Sequence, residues 1–177
     1  MGKTTASIRY AKALFQLASS NNSSEEVLKE LKIVYSTIKQ EEELFKMAIN
    51  PTIKNNTKQS VFTKIFSRYV GSVTMKFLNL VIGKGRAPYL LDIIEKYEHI
   101  YNIDKKISVV EVISAEPIPE ELKEKLKEKA SINGGEILLK EKIDKKLVGG
   151  FIIKRGDLQY DASIRKKINS AKRAFKL

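Results

Sequence analysis

Ile100-Tyr101-Asn102-Ile103-Asp104-Lys105-Lys106-Ile107-Ser108-Val109-Val110-Glu111-Val112-Ile113 is the stretch that decides the fold. Up to Asp104 apolar residues recur at three- and four-residue spacing, the period of a helix. From Ile107 to Ile113 β-branched residues crowd together, the texture of a strand. The charged break Asp104-Lys105-Lys106 therefore divides the chain into a helical part, residues 1–104, and a mixed part, residues 105–177. The expected class is α+β.

Upstream of the break the helical period extends to the N-terminus. Ala6, Tyr10, Ala13, Leu14, Leu17 and Ala18 share one broad face. Ser23 with Glu26 reads as a capping box, in which side chain and backbone at a helix start satisfy each other, followed by Val27, Leu31, Val34, Tyr35 and Ile38. A short helix from Leu44 to Ile49 stops at Asn50-Pro51, because a residue before proline avoids the helical region. Asn56 with Gln59 is a second capping-box pattern, leading Val61, Phe62, Ile65, Phe66, Tyr69 and Val70 to a stop at Gly71. The next helix carries Phe77, Leu78, Val81 and Ile82 and ends at Gly83-Lys84-Gly85, a C-cap. Pro88 fits the first turn of a last long helix with Leu90, Leu91, Ile94, Tyr97 and Tyr101. The spacing predicts five or six helices joined by short loops, a compact bundle.

Downstream, Pro117 and Pro119 break the chain and start a helix with Leu122, Leu126 and Ala130 as a thin apolar stripe. Asn133-Gly134-Gly135 predicts a turn. Ile137 and Leu139 alternate with polar neighbours, Leu147 to Ile153 reads as a strand, and Gly156-Asp157 as a tight turn. Asp161 is expected to cap a final helix with Ile164, Ile168, Ala171 and Phe175 inward. The predicted order is strand–helix–strand–strand–helix.

Composition narrows the function. Among 177 residues there is no cysteine, hence no disulfide, thiol nucleophile or zinc–thiolate site, which suits a reducing compartment. The N-terminus lacks the apolar core of a secretory signal. The longest apolar run, Phe77 to Gly83, is interrupted by Asn79 and is far short of the roughly 20 residues that span a bilayer. The net charge of +12 raises nucleic acid or an anionic surface as targets. Yet residues 1–104 hold 15 basic and 10 acidic groups and residues 105–177 hold 18 and 11, so the excess is spread and interleaved, as on solvated helix faces. The cationic positions Arg165, Lys166, Lys167, Lys172, Arg173 and Lys176 lack the aromatic platform or clamp of a nucleic-acid module, and none is expected to bind there.

No catalytic inventory assembles. Gly2-Lys3-Thr4-Thr5 lacks the upstream glycine of a phosphate loop, and Arg155-Gly156-Asp157 sits at a hairpin turn. Gly149-Gly150 suggests a bulge or a close backbone approach. His99, the only histidine, has no metal-ligating companion. The expectation is a non-enzyme with no cofactor and no metal. On the first helix, small Ala6, Ala13 and Ala18 beside Tyr10, Leu14 and Leu17 can leave a groove for another helix, although periodicity alone favours reading all of them as bundle core.

Four motifs resemble one family. Arg9-Tyr10-Ala11-Lys12-Ala13-Leu14-Phe15 is similar to the start of the delta subunit of F-type ATP synthase, the oligomycin-sensitivity-conferring protein family. Asn50-Pro51-Thr52-Ile53 and Phe77-Leu78-Asn79-Leu80-Val81 through Gly85-Arg86 match further. So does Ile143-Asp144-Lys145-Lys146-Leu147-Val148-Gly149-Gly150-Phe151-Ile152-Ile153-Lys154, continued by Gly156-Asp157 and Asp161-Ala162-Ser163-Ile164-Arg165. The resemblance implies an N-terminal six-helix bundle, residues 1–104, on top of the catalytic head, and a small domain, residues 105–177, on the peripheral stalk. It implies one copy per hetero-oligomeric complex, held peripherally at the cytoplasmic side of a bacterial cell membrane and touching the membrane only through partners. By carry-over, Tyr10, Ala13, Leu14 and Leu17 of helix 1 with Phe77, Leu78, Val81 and Ile82 of helix 5 line a groove for the alpha subunit's N-terminal helix. The C-terminal ends of the b subunits are placed on residues 147–175. The implied role is a stator that resists rotor torque during ATP synthesis coupled to proton flow.

Overall fold

The computed structural model describes residues 3–130, 136–156 and 158–168. The class is α+β: helices joined to a four-stranded sheet. The chain divides into two compact units, Met1–Tyr101 and Asn102–Leu177.

Among the described residues, six α-helices occupy the chain to Asp104: α1 (Lys3–Ser20), α2 (Ser24–Gln40), α3 (Glu42–Ile49), α4 (Asn55–Phe66), α5 (Ser72–Gly83) and α6 (Leu90–Asp104). Each contributes a buried stripe at helical spacing. On α2 it is Val27, Leu31, Val34 and Ile38; on α6 it is Leu90, Ile93, Ile94, Tyr97 and Tyr101. Burying each such side chain is worth about 1.5–3 kcal/mol, so the stripes, not helix propensity, hold the unit together. Phe15 meets Tyr97 edge-on at 5.9 Å between ring centroids. The Tyr97 hydroxyl donates to the Ser24 carbonyl at 3.0 Å, and burial pushes that phenol's pKa up.

Several ends differ from the sequence expectation. Ser23 is the N-cap position of α2 but makes no capping box. Its N–H and its Oγ both donate to the Ala18 carbonyl, at 2.8 and 3.3 Å, and so close α1 instead. Gln59 likewise does not cap α4; its Nε2 donates to the Asn79 carbonyl of α5 at 2.6 Å. Helix α4 stops at Phe66, and Gly71 starts α5, its N–H donating to the Glu30 carboxylate at 2.6 Å. The expected C-cap does form after α5: Gly85 has φ +68°, its N–H reaches the Ile82 carbonyl, and the Arg86 N–H reaches that of Val81.

The second unit holds β1 (Ser108–Ser114), α7 (Glu120–Ala130), β2 (Ile137–Ile143), β3 (Phe151–Arg155) and β4 (Leu158–Asp161). The sheet order is β2-β1-β3-β4. Strands β1 and β2, joined through α7, run parallel with Val110 opposite Leu139. Strand β3 is antiparallel to β1, with Val112 opposite Ile153, and β4 is antiparallel to β3, with Ile153 opposite Tyr160. Val110, Val112 and Ile118 form the buried centre, with Leu126, Ile137, Leu139, Phe151 and Ile153 packed on it.

The expected strand–helix–strand–strand–helix order thus gains a fourth strand, because the Gly156 turn returns the chain along β3. Leu147 to Gly150 is not strand. It is a short 3-10 turn over Lys145–Leu147 and then a kink with Val148 at φ +63° and Gly150 at φ +77°. The chain is helical again over 164–168, with Ser163 rather than Asp161 accepting from the Lys166 N–H at 3.2 Å. Asp161 instead accepts the Ser163 N–H at 2.9 Å. Ile164 and Ile168 are 43% and 48% exposed, not inward. Ala171, Phe175 and the turn at Asn133-Gly134-Gly135 lie outside the described residues.

Candidate functional site

Helix α1 has two apolar faces. Ser7, Ala11, Leu14 and Ala18, at i, i+4, i+7 and i+11, are fully buried. Tyr10, Ala13 and Leu17 lie one position round and look outward, Leu17 being 51% exposed. Helix α5 is built alike: Leu78, Val81 and Ile82 are fully buried, while Val73, Phe77 and Leu80 form a second stripe, with Leu80 52% exposed.

The two outer stripes face one groove of about 660 Å³. Tyr10, Ala13, Leu14 and Leu17 line one wall and Val73, Phe77 and Leu80 the other; Arg9, Lys76 and Asn21 complete the rim. The groove brings together five of the eight residues expected there: Tyr10, Ala13, Leu14, Leu17 and Phe77. Leu78, Val81 and Ile82 do not line it, because their side of α5 packs into the core. Arg9, Asn21, Val73, Lys76 and Leu80 also line it and are not among those eight. The signal was present, since α5 is apolar nearly all round, and a helix with one buried face does not need that.

Among the described residues that line the groove there is no carboxylate, histidine or cysteine, and its floor is aliphatic and aromatic. Two half-exposed leucines on facing walls are what an apolar helix face would cover. Among the described residues no His, Cys, Asp or Glu group could hold a metal. His99 is exposed on α6. No helix among the described residues is long and apolar enough to cross a membrane.

In the second unit, a cleft of about 470 Å³ lies between α7 and the sheet, lined by Leu122, Lys125, Leu126, Phe151, Ile153, Arg155 and Tyr160 with Val110 beneath. Leu158 and Tyr160 of the edge strand are 76% and 66% exposed, an uncovered apolar margin within the segment 147–175. The loop into α7 is fixed by Glu141. Its carboxylate accepts the Ile118 N–H at 2.6 Å and pairs with Lys123 at 3.1 Å. Those two contacts hold the Glu141 pKa below the usual carboxylate range, and Glu141 together with Glu120 holds that of Lys123 above its own. Asp161 is lowered by its bonds to Ser163.

Comparison with known proteins places this geometry in context. The family model for the ATP synthase delta (OSCP) subunit matches residues 6–175. ATP synthase subunit delta of Cytophaga hutchinsonii is 31% identical over 175 residues, covering 99% of this chain and 96% of that one. The chloroplastic ATP synthase subunit delta of Galdieria sulphuraria is 33% identical over 166 residues, covering 92% and 93%. In fold, the chain is similar to one in the cryo-EM structure of the Toxoplasma gondii mitochondrial ATP synthase hexamer, with a TM-score of 0.76, 20% identity and 97% of each chain covered.

Proposed function

The chain belongs to the ATP synthase delta (OSCP) subunit family, and from that premise we propose that it is a non-catalytic stator subunit of the peripheral stalk of an F-type ATP synthase. It links the catalytic head to the membrane-embedded, proton-translocating sector and resists the drag of the rotor during ATP synthesis. The helices of residues 1–104 act as one six-helix bundle on the head. The unit of residues 105–177 takes the C-terminal ends of the b subunits. One copy serves each complex, held peripherally at the cytoplasmic side of a bacterial cell membrane through its partners.

The observation that carries this reading is the α1/α5 groove, apolar, open and without a reactive group. An alpha subunit's N-terminal helix laid into it would cover Tyr10, Ala13, Leu17, Val73, Phe77 and Leu80. Holding against torque demands slow dissociation. Nanomolar binding, about 12 kcal/mol, is the scale expected, with aromatic and leucine anchors as its main contributors. The exposed margin at Leu158 and Tyr160 supports the second contact.

The test is co-purification. The chain is mixed with the purified catalytic head, and separately with the soluble part of the b stalk. Stable complexes with both are expected. A chain that ignores both at micromolar concentration removes the proposal.

A further inference from the structure

We propose that Arg9 and Lys76 make the α1/α5 groove selective for an amphipathic helix that carries carboxylates along the flanks of its apolar face. The inference rests on the groove being the docking site for a partner helix, and adds what kind of helix it accepts.

Charge in the helical unit is segregated. Helices α1 and α5 hold Lys3, Arg9, Lys12 and Lys76 and not one Asp or Glu. The Glu residues lie elsewhere in the unit, and several pair with lysines there, as Glu25 does with Lys29 and Glu98 with Lys32. Arg9 and Lys76 stand on opposite walls of the groove and, among the described residues, neither has a carboxylate partner. Glu30, which reaches the start of α5, is engaged by the Gly71 N–H. An apolar trough edged on both walls by unpaired cations attracts acidic flanks and repels basic ones.

The span fits such an occupant. From Arg9 to Asn21 the α1 wall runs about 18 Å, three to four turns at 1.5 Å per residue. A helix of that length seats anchors at i, i+3 or i+4, and i+7. Its flanking positions then come within reach of a flexible lysine or arginine on either side.

The experiment uses the full chain and three synthetic helical peptides with one common apolar face and with Glu, Gln or Lys at the flanks. Fluorescence anisotropy should rank them Glu, then Gln, then Lys, with about fivefold between neighbours at low salt. The ranking should compress as salt screens these exposed pairs. In the Arg9→Glu/Lys76→Glu double variant the order should invert. Equal affinities in the wild type, or an order unchanged in the double variant, would overturn the selectivity. The Leu17→Asp/Leu80→Asp double variant separates the two ideas. If it loses all three peptides while the wild type shows no charge ranking, the groove binds and only the roles of Arg9 and Lys76 fall. If it keeps all three, the peptides sit elsewhere and both fall. Circular dichroism of each variant establishes that it is folded.

Discussion

Lys58 is a lysine that the sequence presents as one more solvated charge on α4, and the structure buries it to 4% exposure. Its Nζ donates to the Ala48 carbonyl in the last turn of α3, at 2.8 Å. A helix end leaves carbonyls without partners, and here a side chain from the next helix supplies the donor. Lys58→Met keeps the stem and removes the donor. It should cost about 1–3 kcal/mol, the penalty for a buried polar group left unpaired, read as a lower urea midpoint. Thr74 is the opposite case. It is fully buried and, among the described residues, its Oγ1 finds no hydrogen-bond partner. Thr74→Val, nearly the same shape without the hydroxyl, should leave stability unchanged or raise it by up to about 1 kcal/mol in the same assay. Neither role is legible in the sequence. Spacing says which face a residue is on, but not whether a neighbouring element brings an acceptor to it.

Among elements, apolar periodicity located the helices and left their ends to be found in the structure. The sequence signal for an end is the residue type, yet backbone bonds decide it. Among the described residues, three helices close with the same paired backbone bonds around one left-handed residue. Only Gly85 announces itself; Asn22 at φ +53° and Lys106 at φ +55° do the same work after α1 and α6. The same limit hid the groove. The apolar face of α1 was legible, but its division into a core stripe and an outer stripe depends on where α2 and α5 pack. Mutations show the division. Leu14 is 1% exposed, so Leu14→Asp should unfold the helical unit. Leu17 is 51% exposed, so Leu17→Asp should keep the circular dichroism spectrum. It should weaken a bound apolar helix by about thirtyfold, because the carboxylate is then buried against it. Calorimetry with an alpha N-terminal peptide checks this, and an unchanged affinity would remove Leu17 from the site. The glycines of the second unit make a similar pair. A Cβ on Gly150 would lie 2.5 Å from the Ala162 carbonyl oxygen, and the residue sits at φ +77°; a Cβ on Gly156, at φ +55°, would meet nothing within 4 Å among the described residues. Gly156→Ala should cost about 1–2 kcal/mol from backbone conformation alone. Gly150→Ala should cost clearly more, since backbone must also move. Of the two readings of Gly149-Gly150, a bulge or a close backbone approach, the structure has the close approach, at Gly150, and the pair precedes the strand and is not inside it.

At the scale of the molecule, the change of texture at Asp104-Lys105-Lys106 located the shift from helix to strand, whereas the units part after Tyr101. The last turn of α6, whose Asn102 and Ile103 carbonyls accept from Ile107 and Lys106, falls in the second unit. A chain of two compact units need not unfold in one step, so acid should act on them separately. Glu141 gives the second unit a specific acid sensitivity. The Ile118 N–H and Lys123 favour its ionised form, so its folded pKa lies below its unfolded one, about 4.3 in model peptides. The unfolded chain therefore binds the proton first on acidification. The stabilisation is fully present above the unfolded value and is lost as pH falls through the lower, folded one. Glu141→Gln cannot ionise and should be less stable than wild type at neutral pH. The gap should narrow below about pH 4 and close once the wild-type carboxyl is protonated as well. Hydrogen exchange of β1 and β2 amides reports this unit by itself, while amides of α2 and α5, which lie wholly in the first unit, serve as an internal reference that the substitution should not move. A gap of constant size down to low pH would mean that Glu141 acts through the shape of its hydrogen bond and not through its charge.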